Sequence, residues 1–103
     1  MDVTVTDAPE HQRFEAWLAD GTLVGFAGYT MRGDAIVFTH TEVPEEYEGQ
    51  GIAARLVTTA LEAARARELH VVALCPYVRS FLRRHEDEYS DLVGHTPGAA
   101  GTR

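Results

Sequence analysis

The feature that most restricts what this chain can fold into is a change of hydrophobic period at Val43-Pro44. Before it, apolar residues alternate with polar ones, as on a half-buried strand; after it they recur at the spacing of a helix face. In QRFEAWLA, Phe14, Ala16 and Leu18 alternate with Arg13, Glu15 and Trp17, and the following Asp20-Gly21 is a two-residue hairpin signal. TLVGFAGYT comes next, then a turn at Arg32-Gly33-Asp34, then AIVFTHTEV. Residues 12–42 therefore read as an antiparallel meander of three strands. Pro44 cannot donate to a ladder and holds Val43 extended, so the third strand stops there.

An acidic loop, Glu45-Glu46-Tyr47-Glu48, leads into the stretch EGQGIAARL. From Gly51 to about Glu68, the residues Ile52, Leu56, Ala60, Ala63 and Ala64 fall at helical spacing, flanked by Arg55, Glu62, Arg65 and Arg67. The alanine-rich face implies close packing on a sheet. HVVALC is a continuous apolar run, which predicts a strand covered on both faces. Pro76 suits the first turn of a second helix with Val78, Phe81, Leu82 and His85 on one face. Tyr89 and Leu92-Val93 are placed to close the core. The last ten residues, GHTPGAAGTR, read as a flexible tail, leaving 1–93 as a single domain.

The net charge is −7, with no lysine among the nine cations. That argues against nucleic acid or an anionic membrane as a partner, because a phosphate surface demands clustered positive charge. A cationic amine is better tolerated. Cys75 is the only cysteine, so no intrachain disulfide can form, which suits a reducing cytoplasm. The segment MDVTVTDAPE lacks the basic and apolar regions of a signal peptide, and a cytoplasmic protein is expected. His40, Cys75 and His85 have no local ligand spacing, so no metal is expected.

The glycine-spaced run has three nucleotide or phosphate readings. A P-loop requires a lysine, which the chain lacks. Gly49-x-Gly51-x-x-Ala54 imitates a dinucleotide fingerprint, but hairpins precede it and VVALCPY stands where the ribose-binding carboxylate belongs. The third reading is a helix N-terminus whose unpaired amides at 50–54 receive a pyrophosphate, with Arg55 adding charge. On residue types alone this reading and a plain tight turn both stand.

EGQGIAARL, following a strand and opening a helix, resembles the acyl-CoA-binding segment Q/R-x-x-G-x-G/A of the GNAT acetyltransferases. Gly51 and Ala53 match its small positions, and Glu48 stands where Arg or Gln is usual. FTHTEVPEEYEGQGIAARLV together with VVALCPYVRSFLRRHEDEYSDLV resembles the short, single-domain GNAT-like subfamily, over residues 10–93. The resemblance implies an α+β fold: a mixed, mainly antiparallel sheet with two principal helices, in which the strand at 35–43 splays from that at 70–75. It implies acetyl-CoA as cosubstrate, its pyrophosphate on Gly49, Gln50, Gly51, Ile52, Ala53 and Ala54 and its pantetheine arm beside Glu42 and Val43. A small-molecule or protein amine is the implied acceptor, and a monomer or homodimer is expected.

Acetyl transfer needs the amine deprotonated, the thioester carbonyl polarised and the thiolate reprotonated. On a regular pleat His40 and Glu42 share one face, with Thr39 and Thr41 opposite. Either takes the proton, or the pair is a plain strand edge. Cys75 is either a small buried hydrophobe or a thiol facing the acetyl group, as proton donor or as a nucleophile beside a His. Its place in the CPY segment of the resemblance favours the active site. Tyr77 is a second candidate acid or a core residue. Arg79, Arg83 and Arg84 are candidates for CoA phosphates, Arg79 and Arg83 foremost, or form a solvated helix face. Two other classes remain: a CoA-binding module with little turnover, and an NAD-binding redox domain.

Overall fold

The computed structural model describes residues 2–93; the predicted tail, 94–103, lies outside the described residues. Five strands, β1 (Val3–Ala8), β2 (Arg13–Leu18), β3 (Leu23–Arg32), β4 (Ala35–Glu42) and β5 (His70–Ala73), form one sheet in that order. The first four pair antiparallel and β5 lies parallel to β4, across a connection built on helix α1 (Ile52–Ala66). Helices α2 (Pro76–Arg84) and α3 (Glu86–Val93) follow. The mixed, mainly antiparallel sheet is as the family resemblance implies.

Three details differ. β1 is an added strand: VTVTDA alternates, but its polar half is threonine, and pairing along β2 from Val3↔Leu18 to Ala8↔Arg13 makes it a strand. The second helix breaks at His85, and three carboxylates, Glu86, Asp87 and Glu88, open a separate α3 where a helix N-terminus favours negative charge. β5 is covered on one face only. Val71 is buried, while Val72 is 42% and Leu74 57% exposed, because the helices all lie on one side of an edge strand.

The core lies between that side of the sheet and the helices. Leu56, Val57, Ala60, Leu61 and Ala64 of α1 pack with Phe14, Ala27, Ile36 and Phe38. Each fully buried Leu or Val contributes about 1.5–3 kcal/mol. Arg65 joins α1 to α3 through Asp91 (2.8 Å) and the Glu88 carbonyl (2.6 Å). Asp7 accepts from the Tyr29 hydroxyl at 2.7 Å and pairs with Arg67 at 3.0 Å, tying β1, β3 and the end of α1. On the open sheet face Glu15 is buried, with Arg13 at 2.7 Å and His11 at 3.2 Å. Burial pushes its carboxyl up, but the hydrogen bonds from Arg13 and His11 outweigh burial and hold it below its ordinary value. Among the described residues no helix is long and apolar enough to cross a membrane.

Two irregularities shape the sheet. Val24 has no partner where Ala16↔Gly25 gives way to Trp17↔Leu23, and Thr39 has none where Gly28↔His40 gives way to Tyr29↔Phe38. Each is one extra residue on one strand, a β-bulge, which reverses the faces of the residues beyond it.

Candidate active site

The parallel pair β4 and β5 is short. It runs from Ala35↔His70 to Phe38↔Ala73, and the Phe38 carbonyl then accepts from the Leu74 and Cys75 amides at 2.9 and 3.0 Å. Beyond this point β4 continues to Glu42 while the segment after β5 turns into α2, so a gap opens at the carboxyl ends of both strands.

The start of α1 enters this gap. After a 3₁₀ turn at Glu45–Tyr47, Gly49 and Gly51 take φ of 84° and 78°, a left-handed conformation open to glycine at little cost. A Cβ added at either meets nothing within 4 Å, so the demand for glycine is torsional and the backbone faces open space. Gly51 is the N-cap and offers no side chain, and the first helical bond runs from the Arg55 amide to the Gly51 carbonyl at 3.0 Å. The amides of Ile52, Ala53 and Ala54 thus precede the helical ladder, at the positive end of the helix.

A cavity of about 240 Å³ lies here, lined by Val43, Tyr47, Glu48, Gly49, Gly51, Ile52, Ala53, Ala54 and Tyr77. A neighbouring space of about 370 Å³ shares Val43, Glu48, Ala53 and Tyr77 with it and adds Thr41 and Glu42, so the two make one cleft. A third cavity of about 300 Å³ lies between β3 and the end of β4, lined by Leu23, Gly25, Phe26, Glu42, Val43 and Pro44. The two sides meet at the Glu42–Val43 segment. Gly25 allows that segment its position: an added Cβ would stand 3.1 Å from the Glu42 carbonyl oxygen, 3.1 Å from Val43 Cγ2 and 3.2 Å from Ile52 Cγ2.

His40 and Glu42 share a face, with His40 Nε2 3.5 Å from Glu42 Oε2; both are more than half exposed, and the His40 ring lies 5.7 Å from Phe26. Thr39 is the unpartnered bulge residue rather than a member of a regular opposite face. The bulge also turns Thr41 toward the core side, where its Oγ1 is 3.3 Å from Cys75 Sγ. Of the alternatives for Cys75, the thiol beside a histidine is not found among the described residues: the thiol's side-chain partner is Thr41, and His40 is engaged with Glu42 and Phe26. Cys75 is 3% exposed, occupies the N-cap position of α2 without a side-chain capping bond and does not line the cleft; half-buried Tyr77 does.

Four other candidates stand outside the cleft. Gln50 is exposed and does not line it. Arg55 Nη2 donates to the Val3 carbonyl at 2.6 Å, and Arg79 donates to the Ala73 and Leu74 carbonyls at 3.4 Å. Strand ends leave such carbonyls free, and they hold these guanidiniums. Arg83 lies in a groove at the α2–α3 junction with Glu86, Asp87 and Glu88. His40, Cys75 and His85 have three separate partners, Glu42, Thr41 and Glu88, and among the described residues no group of His, Cys, Asp and Glu converges to hold a metal. Sequence reasoning passed over Tyr47, Leu23, Phe26 and Pro44 as wall residues. Tyr47, the one apolar residue in the acidic loop, carried a signal; the others acquire their role from the sheet.

Fold and cleft together define a small α/β protein with an open cleft at the carboxyl ends of a parallel strand pair, facing a helix N-terminus. The chain belongs to the GCN5-related N-acetyltransferase family, whose sequence profile matches residues 13–92. It is similar to Protein NATD1 of Bos taurus, 36% identical over 58 residues, which span 55% of this chain and 51% of NATD1, so the match covers about half of that relative. In structure it resembles a GCN5-like protein of Staphylococcus aureus, with a TM-score of 0.69 over 97% of this chain and 96% of that one; at 22% identity the likeness is one of fold. It also resembles nourseothricin acetyltransferase, with a TM-score of 0.54 and 28% identity over 69% of this chain and 46% of that one.

Proposed function

We propose that the protein is an N-acetyltransferase that moves an acetyl group from acetyl-CoA to an amine. The observation that carries this reading is the uncapped N-terminus of α1, bracketed by two left-handed glycines and walled by Val43 and Tyr77 where β4 and β5 part. Its chemistry fits the cosubstrate. Free amides from Gly51 to Ala54 suit a pyrophosphate, and the gap beside Val43 suits an amide-containing arm. Glu48 lines the cleft but is exposed, and in water a like charge at 4 Å costs about 1 kcal/mol, less than several amide contacts return.

When bound, acetyl-CoA supplies the acetyl group as an activated thioester. Glu42, with His40 behind it, accepts the proton that the acceptor ammonium must lose. Tyr77 in the cleft holds a proton for the departing sulfur, and Thr41 links the cleft to the Cys75 thiol as a second source. Calorimetric titration with acetyl-CoA, followed by mass-spectrometric detection of acetylated product and free CoA across a panel of amines, tests the reading. Saturable binding with amine-dependent CoA release is expected. Binding without turnover for any amine would point instead to a CoA-binding module, and preference for NADH over CoA would remove the reading altogether.

A further inference from the structure

We infer that the cavity between β3 and the end of β4 is the acceptor site, and that it takes a small primary amine carried on an apolar body. The inference rests on the acetyl-transfer reading and names the substrate class that reading leaves open. Among the described residues the walls are Leu23, Phe26, Val43 and Pro44, with Gly25 beneath and Glu42 as the only charged side chain in the lining. At about 300 Å³ the space suits a compact ligand. One carboxylate matches one ammonium. A polyamine would bring further charges with no partner, and an amino sugar would bury hydroxyls among apolar walls, each at a cost.

Two further observations support the assignment. Glu42 lines both this cavity and the cleft at the α1 N-terminus, so an amine held by its carboxylate stands beside the place assigned to the thioester. The aromatic wall is braced: the Arg13 guanidinium lies 4.6 Å from the Phe26 ring centroid, buried Glu15 holds Arg13 at 2.7 Å, and the His40 ring stands 5.7 Å from Phe26. A chain of contacts from Glu15 through Arg13, Phe26 and His40 therefore ends on Glu42. In the transfer, one proton passes from the ammonium to Glu42 and the nitrogen lone pair forms the C–N bond. The thioester C–S bond breaks, the sulfur takes a proton from Tyr77, and the second proton lost by the nitrogen restores Tyr77. This leaves a neutral amide and a free thiol, while Glu42 returns its proton to water.

The test uses the full chain, ¹⁵N-labelled, with 2-phenylethylamine, spermidine, glucosamine and a lysine peptide as probes, alongside turnover with acetyl-CoA. 2-Phenylethylamine should shift the amides of Leu23, Phe26 and Glu42, and its kcat/KM should exceed that of each polar probe and of the peptide by about 10-fold or more. Phe26→Ala should lower that kcat/KM about 10-fold while acetyl-CoA affinity is unchanged, and Leu23→Asn should act in the same direction if Phe26→Ala does not fold. A polar amine or the peptide as best substrate, or no shift at these amides, overturns the assignment. If the amides shift but no amine is acetylated, the amine site stands and the acetyl-transfer reading falls.

Discussion

Replacing Gly25 with Ala puts a methyl group 3.1 Å from the Glu42 carbonyl oxygen, 3.1 Å from Val43 Cγ2 and 3.2 Å from Ile52 Cγ2. Favourable carbon contacts begin near 3.5 Å, so each neighbour must retreat by a few tenths of an ångström. The two methyls belong to side chains that can turn. The carbonyl cannot move without displacing the end of β4, where Glu42 is paired with Phe26. Overpacking of this kind costs about 1–3 kcal/mol, and the stiffer unfolded chain returns about 0.4–1 kcal/mol, which leaves a net loss of about 1–2 kcal/mol. For a domain of this size the melting temperature should fall by roughly 5–15 °C. Gly28→Ala is the control: its Cβ would meet Thr39 Oγ1 at 3.5 Å and the His40 carbonyl oxygen at 3.6 Å, which are ordinary contacts. Thermal unfolding followed by circular dichroism compares the two. A Gly25→Ala protein that melts at or above wild type, or a Gly28→Ala protein hurt more, would refute the close approach of β3, β4 and α1.

Gly51→Ala meets no neighbour within 4 Å but must adopt φ near 78°, a cost of about 1–2 kcal/mol; melting should fall and acetyl-CoA should bind more weakly by calorimetry, with Gly51→Asn recovering part of both. Burial opposes the charge on Glu15, but hydrogen bonds from Arg13 and His11 hold its folded pKa below 4.5, so its contribution to stability is complete above that pH and is lost on acidification below it. Glu15→Gln should flatten the acid limb in urea unfolding as pH falls below 4.5, and an unchanged limb would contradict this. Burial and the hydrogen bond to Asp7 push Tyr29 up to about 12, so its contribution is complete below pH 10 and fades as pH rises toward 12. Tyr29→Phe should cost about 1 kcal/mol. In an ultraviolet titration it should also remove the phenol that ionises near pH 12.

Much of the fold was readable because it follows from local periodicity. Alternating residues at 14–18, the Asp20-Gly21 turn and the Val43-Pro44 stop specify the meander, and the spacing from Ile52 to Ala64 specifies α1. β1 was less visible because an edge strand takes its order from its neighbour more than from its own residues. The two faces of β5 could not be told apart, since a continuous apolar run fits a doubly covered strand as well as an edge whose outer face meets water.

The site divides in the same way. The sequence by itself determined the backbone chemistry of the cleft: glycines at 49 and 51 before a helix, with no side chain to cap it, leave free amides wherever the chain goes. Tertiary structure decided which side chains meet there. An unpartnered Thr39 in β4 sets Thr41, rather than His40, against Cys75, and free carbonyls at the ends of β1 and β5 draw Arg55 and Arg79 away from the glycines. Pairing of β3 with β4 turns Leu23, Phe26 and Pro44 into the wall of a cavity. Periodicity is carried by neighbouring residues, but the placing of a bulge and the capture of a guanidinium depend on groups far apart in the chain, and only the packed sheet brings those groups together.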